Sequence, residues 1–415
     1  MGRVRRIAIL GLAALVAAPM SGPVRGEGLR LRLSYSGESA GNRADSLDAA
    51  LGFGQRLSGT AGARLMWRGS VGALSFDAAL DLSIRRGDNV AYQRALRPFL
   101  PTVAPATLFD LSGSWSGNAT TVVRRRIDRL SVGFAGETTV VKLGRQAITW
   151  GSGMVFHPAD IVAPFAPNTI DTTYKPGADM LYAQMLFDSG ADLQLVAVPR
   201  PISRGGPVAF SASTYALRLH GRWGDIDTNL MLARDHADTV GTLGLSGALG
   251  GASWNVEAID WALQSGENVP SWLLNISNFG TLWGHNVSTF AEFYHNGFGV
   301  DASVPLAALP SRLTRRMSTG QVFLAGRNFL ALGLNVQVGA DATLAPNAIV
   351  SLDDHSILAG LTFDYALGDN VNIRFNYSQP VGGGRTEFGG RETAPGSGVF
   401  ARPATLATLQ VIRFF

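Results

Sequence analysis

The side chains able to do covalent chemistry are few and poorly arranged for it. The chain has six histidines and no cysteine, which removes thiol nucleophiles, thiolate metal sites and disulfides together. His157, His220, His236, His285, His295 and His355 stand in no recognisable nucleophile motif. Asp353-Asp354-His355 has the residue types of a metal site, yet one such cluster in a loop reads better as a solvated turn. Gly382-Gly383-Gly384 does not follow a buried strand and open a helix, as a phosphate-cradling loop must. No catalytic residue, metal site or cofactor is therefore expected. What recurs instead is a polar or charged residue at every second position: Asp77, Asp81 and Arg85, then Arg218, His220 and Arg222, then Asp227 and Asn229, then Asn372 and Arg374. On a β-strand each set falls on one face. Their chemistry is that of a wetted, charged wall, so these ten residues are the candidate pore lining.

The elements that carry them are strands of period two. Leu74, Phe76, Ala78, Leu80, Leu82 and Ile84 share the face opposite Asp77, Asp81 and Arg85. Tyr215, Leu217, Leu219 and Trp223 oppose the Arg218 set, and after Gly224-Asp225 the strand from Ile226 returns. The longest near-continuous apolar run, Ile7 to Met20, is shorter than the roughly 20 residues a membrane helix needs. Hydrophobicity spread over many alternating segments bounded by Gly, Asp, Asn or Ser, in a chain with 50 glycines, predicts an all-β, transmembrane antiparallel β-barrel with lipid outside and water inside.

Connections sort by length. Short turns fall at residues 135–137, 189–190, 224–225, 250–251 and 368–369, and long connections at 88–125, 150–178, 201–212, 297–327 and 380–403. A soluble sandwich has turns of similar length at both ends, whereas short periplasmic turns and long extracellular loops mark an outer-membrane barrel. Phe134, Trp223, Trp254 and Trp283 lie beside short turns, where an aromatic girdle belongs. The count is about 18 strands, with 16 to 20 open, because bacterial barrels take even numbers. Residues 1–26 read as a signal peptide, with Arg3, Arg5 and Arg6, an apolar stretch and a small-residue cleavage site. Its removal takes four arginines from a net charge of +4, leaving none in excess, so the basic pI does not argue for nucleic acid as a partner. Residues 27–45 read as a periplasmic lead-in or first strand, with the count started at Leu47 to Leu57, and residues 46–415 as the barrel.

One connection has unusual content: Arg145-Gln146, Trp150-Gly151-Ser152-Gly153, His157-Pro158-Ala159-Asp160, Asp171 and Lys175-Pro176-Gly177-Ala178-Asp179. This stretch resembles the G-R-Q-x-x-x-W-G-x-G … P-G-x-D segment of a group of Gram-negative outer-membrane β-barrel proteins, porin-like and exopolysaccharide-export barrels among their relatives in look. The resemblance implies a barrel and leaves the segment's role open. Physically, a large barrel encloses an open lumen unless something fills it, and a long loop with an aromatic anchor beside two glycines can turn back into it. Trp150, His157, Asp160, Asp171, Lys175 and Asp179 are the constriction-loop candidates, their charges serving either ion selectivity or loop-to-wall ion pairs.

The final segment resembles the C-terminal strand signal read by barrel-assembly machinery, with Phe414 and Phe415 as the signal and Arg413 where an apolar residue is usual. The expected function is a porin-like channel for small polar solutes in the cell outer membrane, with lipid and the assembly machinery as partners. The alternative is the outer-membrane part of an export or envelope-assembly system working with an inner-membrane exporter; a barrel hydrolase ranks third.

Overall fold

The computed structural model describes residues 28–97, 107–162 and 174–415. The leader and Asp171 lie outside the described residues. The first strands are β1 (Leu29–Gly41), β2 (Gln55–Val71), β3 (Leu74–Gly87), β4 (Ser112–Asn118), β5 (Thr121–Ala135), β6 (Thr139–Gln146), β7 (Ala178–Leu186), β8 (Asp192–Val198) and β9 (Thr214–Trp223). Then come β10 (Ile226–Asp235), β11 (Asp238–Leu249), β12 (Ala252–Ala262), β13 (Asn268–Leu282), β14 (His285–His295), β15 (Asn328–Val338) and β16 (Ala342–Ser351). The chain ends with β17 (Ile357–Ala366), β18 (Val371–Val381), β19 (Arg391–Glu392), β20 (Phe400–Ala401) and β21 (Thr405–Phe414). β4 pairs only with the loop end of β5, and β19 and β20 pair only with each other; the other strands pair antiparallel in chain order, and β1 pairs with β21 from Arg32↔Phe414 to Gly41↔Thr405. That last pairing closes a transmembrane barrel of 18 strands, leaving no sheet edge unpaired in lipid.

Alternation sets the faces. Leu82 and Ile84 on β3, Leu217 and Leu219 on β9 and Leu230 and Leu232 on β10 are all exposed on the outside, where lipid covers them. Phe134, Trp223 and Trp283 stand exposed beside the short turns, forming the girdle, while Trp254 lies flat against Gly247 and covers a bare stretch of backbone. The turn between β11 and β12 needs left-handed backbone at both positions, and Gly250 and Gly251 supply it at φ 57° and 86°.

Of the two readings of residues 27–45, the described part, 28–45, takes the first-strand one: Leu29, Leu31 and Leu33 face out while Arg30, Arg32 and Ser34 face in, and β1 is the closing strand. Leu47 to Leu57 is not the first strand, because Ser46 caps a short helix, Leu47–Ala50, by accepting from the Ala49 N–H, and β2 starts only at Gln55. The total is unaffected, since one first strand replaces another. The connection assigned to 88–125 is also shorter. It contains a helix, Asp88–Leu96, and ends where β5 begins at Thr121, so Arg124 and Arg125 belong to the wall.

Candidate functional site

The lumen is filled from one side. After β6 the chain turns inward and crosses to the opposite wall, where residues 150–156 meet polar side chains from the inner faces of three strands. Trp150 Nε1 donates to Gln194 Oε1 on β8 at 3.0 Å. The Ser152 N–H and hydroxyl both donate to Glu257 on β12. Glu292 on β14, fully buried, accepts from the N–H groups of Met154 at 2.5 Å, Val155 at 3.0 Å and Phe156 at 2.7 Å, and from Asn275 on β13 at 3.1 Å. Three successive amides on one carboxylate form charge-assisted bonds, stronger than neutral ones. The Phe156 ring stacks on Tyr294 at 4.7 Å and leans on Phe329.

Gly153 is required here for room, not for turning. A Cβ at that position would sit 1.9 Å from the Phe156 carbonyl oxygen. Lys175 Nζ donates to Asp160 and to the Ile148 carbonyl, tying the two arms of the loop. Burial pushes the Asp160 carboxyl up to about 6 with Lys175 opposing it, and burial likewise lowers the Lys175 ammonium. Burial also lowers His157, which favours its neutral form.

A second loop packs over the first. The helix Ser311–Ser318 inserts Leu313, wholly buried, and Arg316, which lies over the Trp261 ring at 3.7 Å and pairs with Asp235 and Asp238. Trp150, Ile161, Val162, Phe298 and Leu313 thereby join Val196, Met231, Val240 and Ile259 of the wall in one apolar core inside the barrel. The last loop seals the edge of this plug, with Phe388 against Phe329 and Arg391 held by Glu387.

The opposite wall stays open and is basic. Arg64 and Arg68 of β2, Arg85 of β3, and Arg124, Arg126 and Arg129 of β5 share the inner face with Asp77, Asp81 and Asp128. A register shift between Ala79 and Leu80 lets Asp128 and Arg129 both turn inward, as a β-bulge does. Asp128 is buried and clamped bidentately by Arg64, both contacts at 2.8 Å, with Arg129 at 3.7 Å and Arg126 at 4.0 Å. Arg64 also lies 4.2 Å from the Tyr174 ring centre. Toward the turn end the wall widens into a cavity of about 870 Å³ between Arg68, Arg129, Lys142 and Tyr174.

The ten pore-lining candidates all fall on the inner parity, most of them paired: Asp77 with Arg68 at 3.7 Å, Asp81 with Arg64 at 3.6 Å, Arg374 with Asp364 at 2.6 Å. Arg85 reaches Thr60, Arg218 reaches Asn229, and His220 meets Asp192 at 2.8 Å. Arg222 and Asp227 face each other at the turn end, and Asn372 lies opposite Ile412. Arg218 lines a small space with Trp150 and Glu257, so it belongs to the plugged side.

Asp179 does not belong with the loop charges inside the barrel. It has the parity of Leu181, which faces out, and its carboxylate binds Arg145 on β6 bidentately at 2.8 and 2.7 Å. Phe414 shares the inner parity of Arg32, while Phe415 pairs with Leu31 and has the outward one.

Reading the sequence missed Glu257, Glu292, Asp128 and the β5 arginines. The last left a signal, since Arg124, Arg126 and Arg129 sit in an apolar-polar strand pattern, but three consecutive arginines look like loop. Gly177 closes the base of the inward loop against the bulge, and a Cβ there would meet the Asp128 carbonyl oxygen at 2.1 Å. Gly177→Ala is expected to cut the heat-modifiable, folded form on unboiled gels to a minor fraction. Gly241→Ala, with nothing within 4 Å of its added carbon, should leave that form unchanged.

These features define a class: a closed outer-membrane-type barrel whose lumen is narrowed by its own loops. No protein-family model matches the chain, and no curated protein matches it. Among solved structures it is similar to Pseudomonas aeruginosa OccK5 (OpdH), at 10% identity and TM-score 0.55, over 94% of this chain and 98% of that one. Pseudomonas aeruginosa OccK7 (OpdD) gives 13% and 0.53 over 94% and 98%. Acinetobacter baumannii OccAB4 gives 8% and 0.52 over 95% and 100%. At these identities the likeness is one of fold.

Proposed function

We propose that the protein is a channel of the Gram-negative outer membrane that passes small polar solutes along the open half of its barrel, anions ahead of cations. The observation that carries this is the basic wall. Arg64, Arg68, Arg85, Arg124, Arg126 and Arg129 share the inner face of β2, β3 and β5 with Asp77, Asp81 and Asp128, and charged rings of this kind set ion preference in pores. The acidic side chains Glu257, Glu292, Asp235 and Asp238 are buried under the two inward loops, where they hold backbone and Arg316 and do not face a solute. Strands with an apolar outside and a polar inside support the membrane location. The apolar core inside the barrel is closed off by loop residues, which favours a polar path over one for lipid or polymer export. Liposome swelling with neutral, anionic and cationic solutes of one size tests the reading: purified protein should admit the anion fastest. Swelling that is equal for anion and cation would remove the arginine wall from the account.

A further inference from the structure

The barrel wall is not equally tall all round. Strands β6, β7 and β8 have 8, 9 and 7 residues, against 10 to 17 in the other fifteen barrel strands. At about 3.4 Å per residue and a tilt near 40°, seven residues rise about 18 Å and ten about 26 Å, whereas the apolar band of an outer membrane is about 25 Å tall. The turn ends of β5 and β6 are level, Ala135 facing Val140, and β5 runs on at the loop end from Leu130 to Thr121, where it pairs with β4; β8 and β9 are level at the loop end, Val198 facing Thr214, and β9 runs on past Asp192 at the turn end.

Two loop segments clad the outside of the wall at the loop ends of β6, β7 and β8. Residues 107–111 cross the ends of β6 and β7, where the Phe109 N–H donates to Asp179 and its carbonyl accepts from Arg145 at 2.6 Å. The Arg145–Asp179 pair would otherwise point at lipid, and this segment buries it to about 4% exposure. The loop from β8 to β9 folds outward beside it. It is joined to it by an ion pair between Arg204 and Asp110 and laid on the wall by Phe210, which stacks on outward-facing Tyr215 at 5.0 Å. Together they expose Phe109 at 56%, Ile202 at 69%, Val208 at 49% and Phe210 at 59%. These values match those of the lipid-facing leucines on the strands below, such as Leu232 at 63%.

We infer that this loop patch is a membrane-inserted surface. Phe109, Ile202, Val208 and Phe210 enter the acyl region of the outer leaflet and extend the apolar band past the loop ends of β6, β7 and β8. Scattered apolar side chains on a surface need no explanation. Four on two linked segments, continuous with the lipid-facing wall, form a patch that does. The occupant is the acyl chain of an outer-leaflet lipid, because the patch adjoins a surface already in contact with lipid. The ends of the G-R-Q … P-G-x-D segment then have a structural task, holding the cladding down through Arg145 and Asp179.

The test uses the absence of native cysteine, so that a single introduced thiol takes a unique nitroxide. Ile202→Cys and Phe210→Cys are labelled in the full barrel reconstituted in lipid bilayers, with Leu232→Cys as the control in the apolar band and Asp225→Cys as the control in a water-exposed turn. The label's collision rates with oxygen and with a water-soluble nickel chelate are measured by electron paramagnetic resonance. Both patch sites should resemble Leu232→Cys, with oxygen collisions exceeding chelate collisions several-fold. A ratio like that of Asp225→Cys would overturn the inference by placing the loops in water. Exclusion of both reagents would overturn it in favour of a protein cover, with spin–spin broadening identifying a second copy.

Discussion

Replacing Glu292 with alanine is expected to release the inward loop, seen as rapid chymotrypsin cleavage at Phe156 in barrels that still migrate as folded on unboiled gels. Phe156 is buried and wedged between Tyr294 and Phe329, so a protease cannot reach it while the loop is docked. Among the described residues, the Glu292 carboxylate is the acceptor for the N–H groups of Met154 and Val155. The Phe156 N–H is buried and those of Met154 and Val155 are partly so; leaving a buried donor unpaired costs roughly 1–3 kcal/mol, which the Phe156 N–H bears in full and the other two in part. Bonds from Trp150 to Gln194 and from Ser152 to Glu257 remain and should slow the release without preventing it. In planar bilayers the variant's current should also become noisy, as the freed segment moves through the lumen. Glu292→Gln keeps one acceptor oxygen and should show an intermediate cleavage rate. Equal protection of Phe156 in wild type and alanine variant would mean that the loop is held by its aromatic contacts alone.

The second large effect concerns selectivity. Changing Arg124, Arg126 and Arg129 together to glutamine should bring the anion-to-cation swelling ratio to unity or below. An anion passing about 7 Å from one guanidinium gains roughly 0.6–2.4 kcal/mol for effective dielectrics between about 80 and 20, and salt in the lumen screens the lower part of that range further. Three such contacts are worth a factor of ten or more. With them gone, the inner face of β2, β3 and β5 carries Asp77, Asp81 and Asp128 against Arg64, Arg68 and Arg85. Asp128 keeps its bidentate partner Arg64 in the triple variant, so the bulge should survive and the comparison should report selectivity, not misfolding. An unchanged ratio in folded protein would contradict the basic-wall reading.

The barrel was legible because a strand between lipid and water writes its environment at every second residue. Leu74 to Ile84 is unambiguous on that ground alone. Leu29 to Tyr35 alternates just as clearly, but counting parity argued against it, and the Leu-Asp-Ala-Ala sequence after Ser46 passed for a strand although Ser46 and Asp48 are helix-start residues. The inward turn of the loop after β6 followed from its length and from Trp150 between a short strand and two glycines. What it binds could not be read, since Glu257 and Glu292 lie 105 and 138 residues from the amides they accept. Contacts at that separation leave no periodic trace. The arginine wall was hidden for a local reason: the Arg124-Arg125-Arg126 run breaks the alternation, with Arg125 turned out against Trp115 at 5.2 Å, and the extra residue of the bulge then shifts the pattern by one.

The central claim, an aqueous path dominated by arginines, is tested most directly by the zero-current potential of the wild-type channel across a bilayer with a tenfold potassium chloride gradient. The basic wall predicts a potential of the sign given by chloride crossing faster than potassium. A potential of the opposite sign would contradict it, because the cation would then be following acidic groups that the structure shows buried beneath the loops.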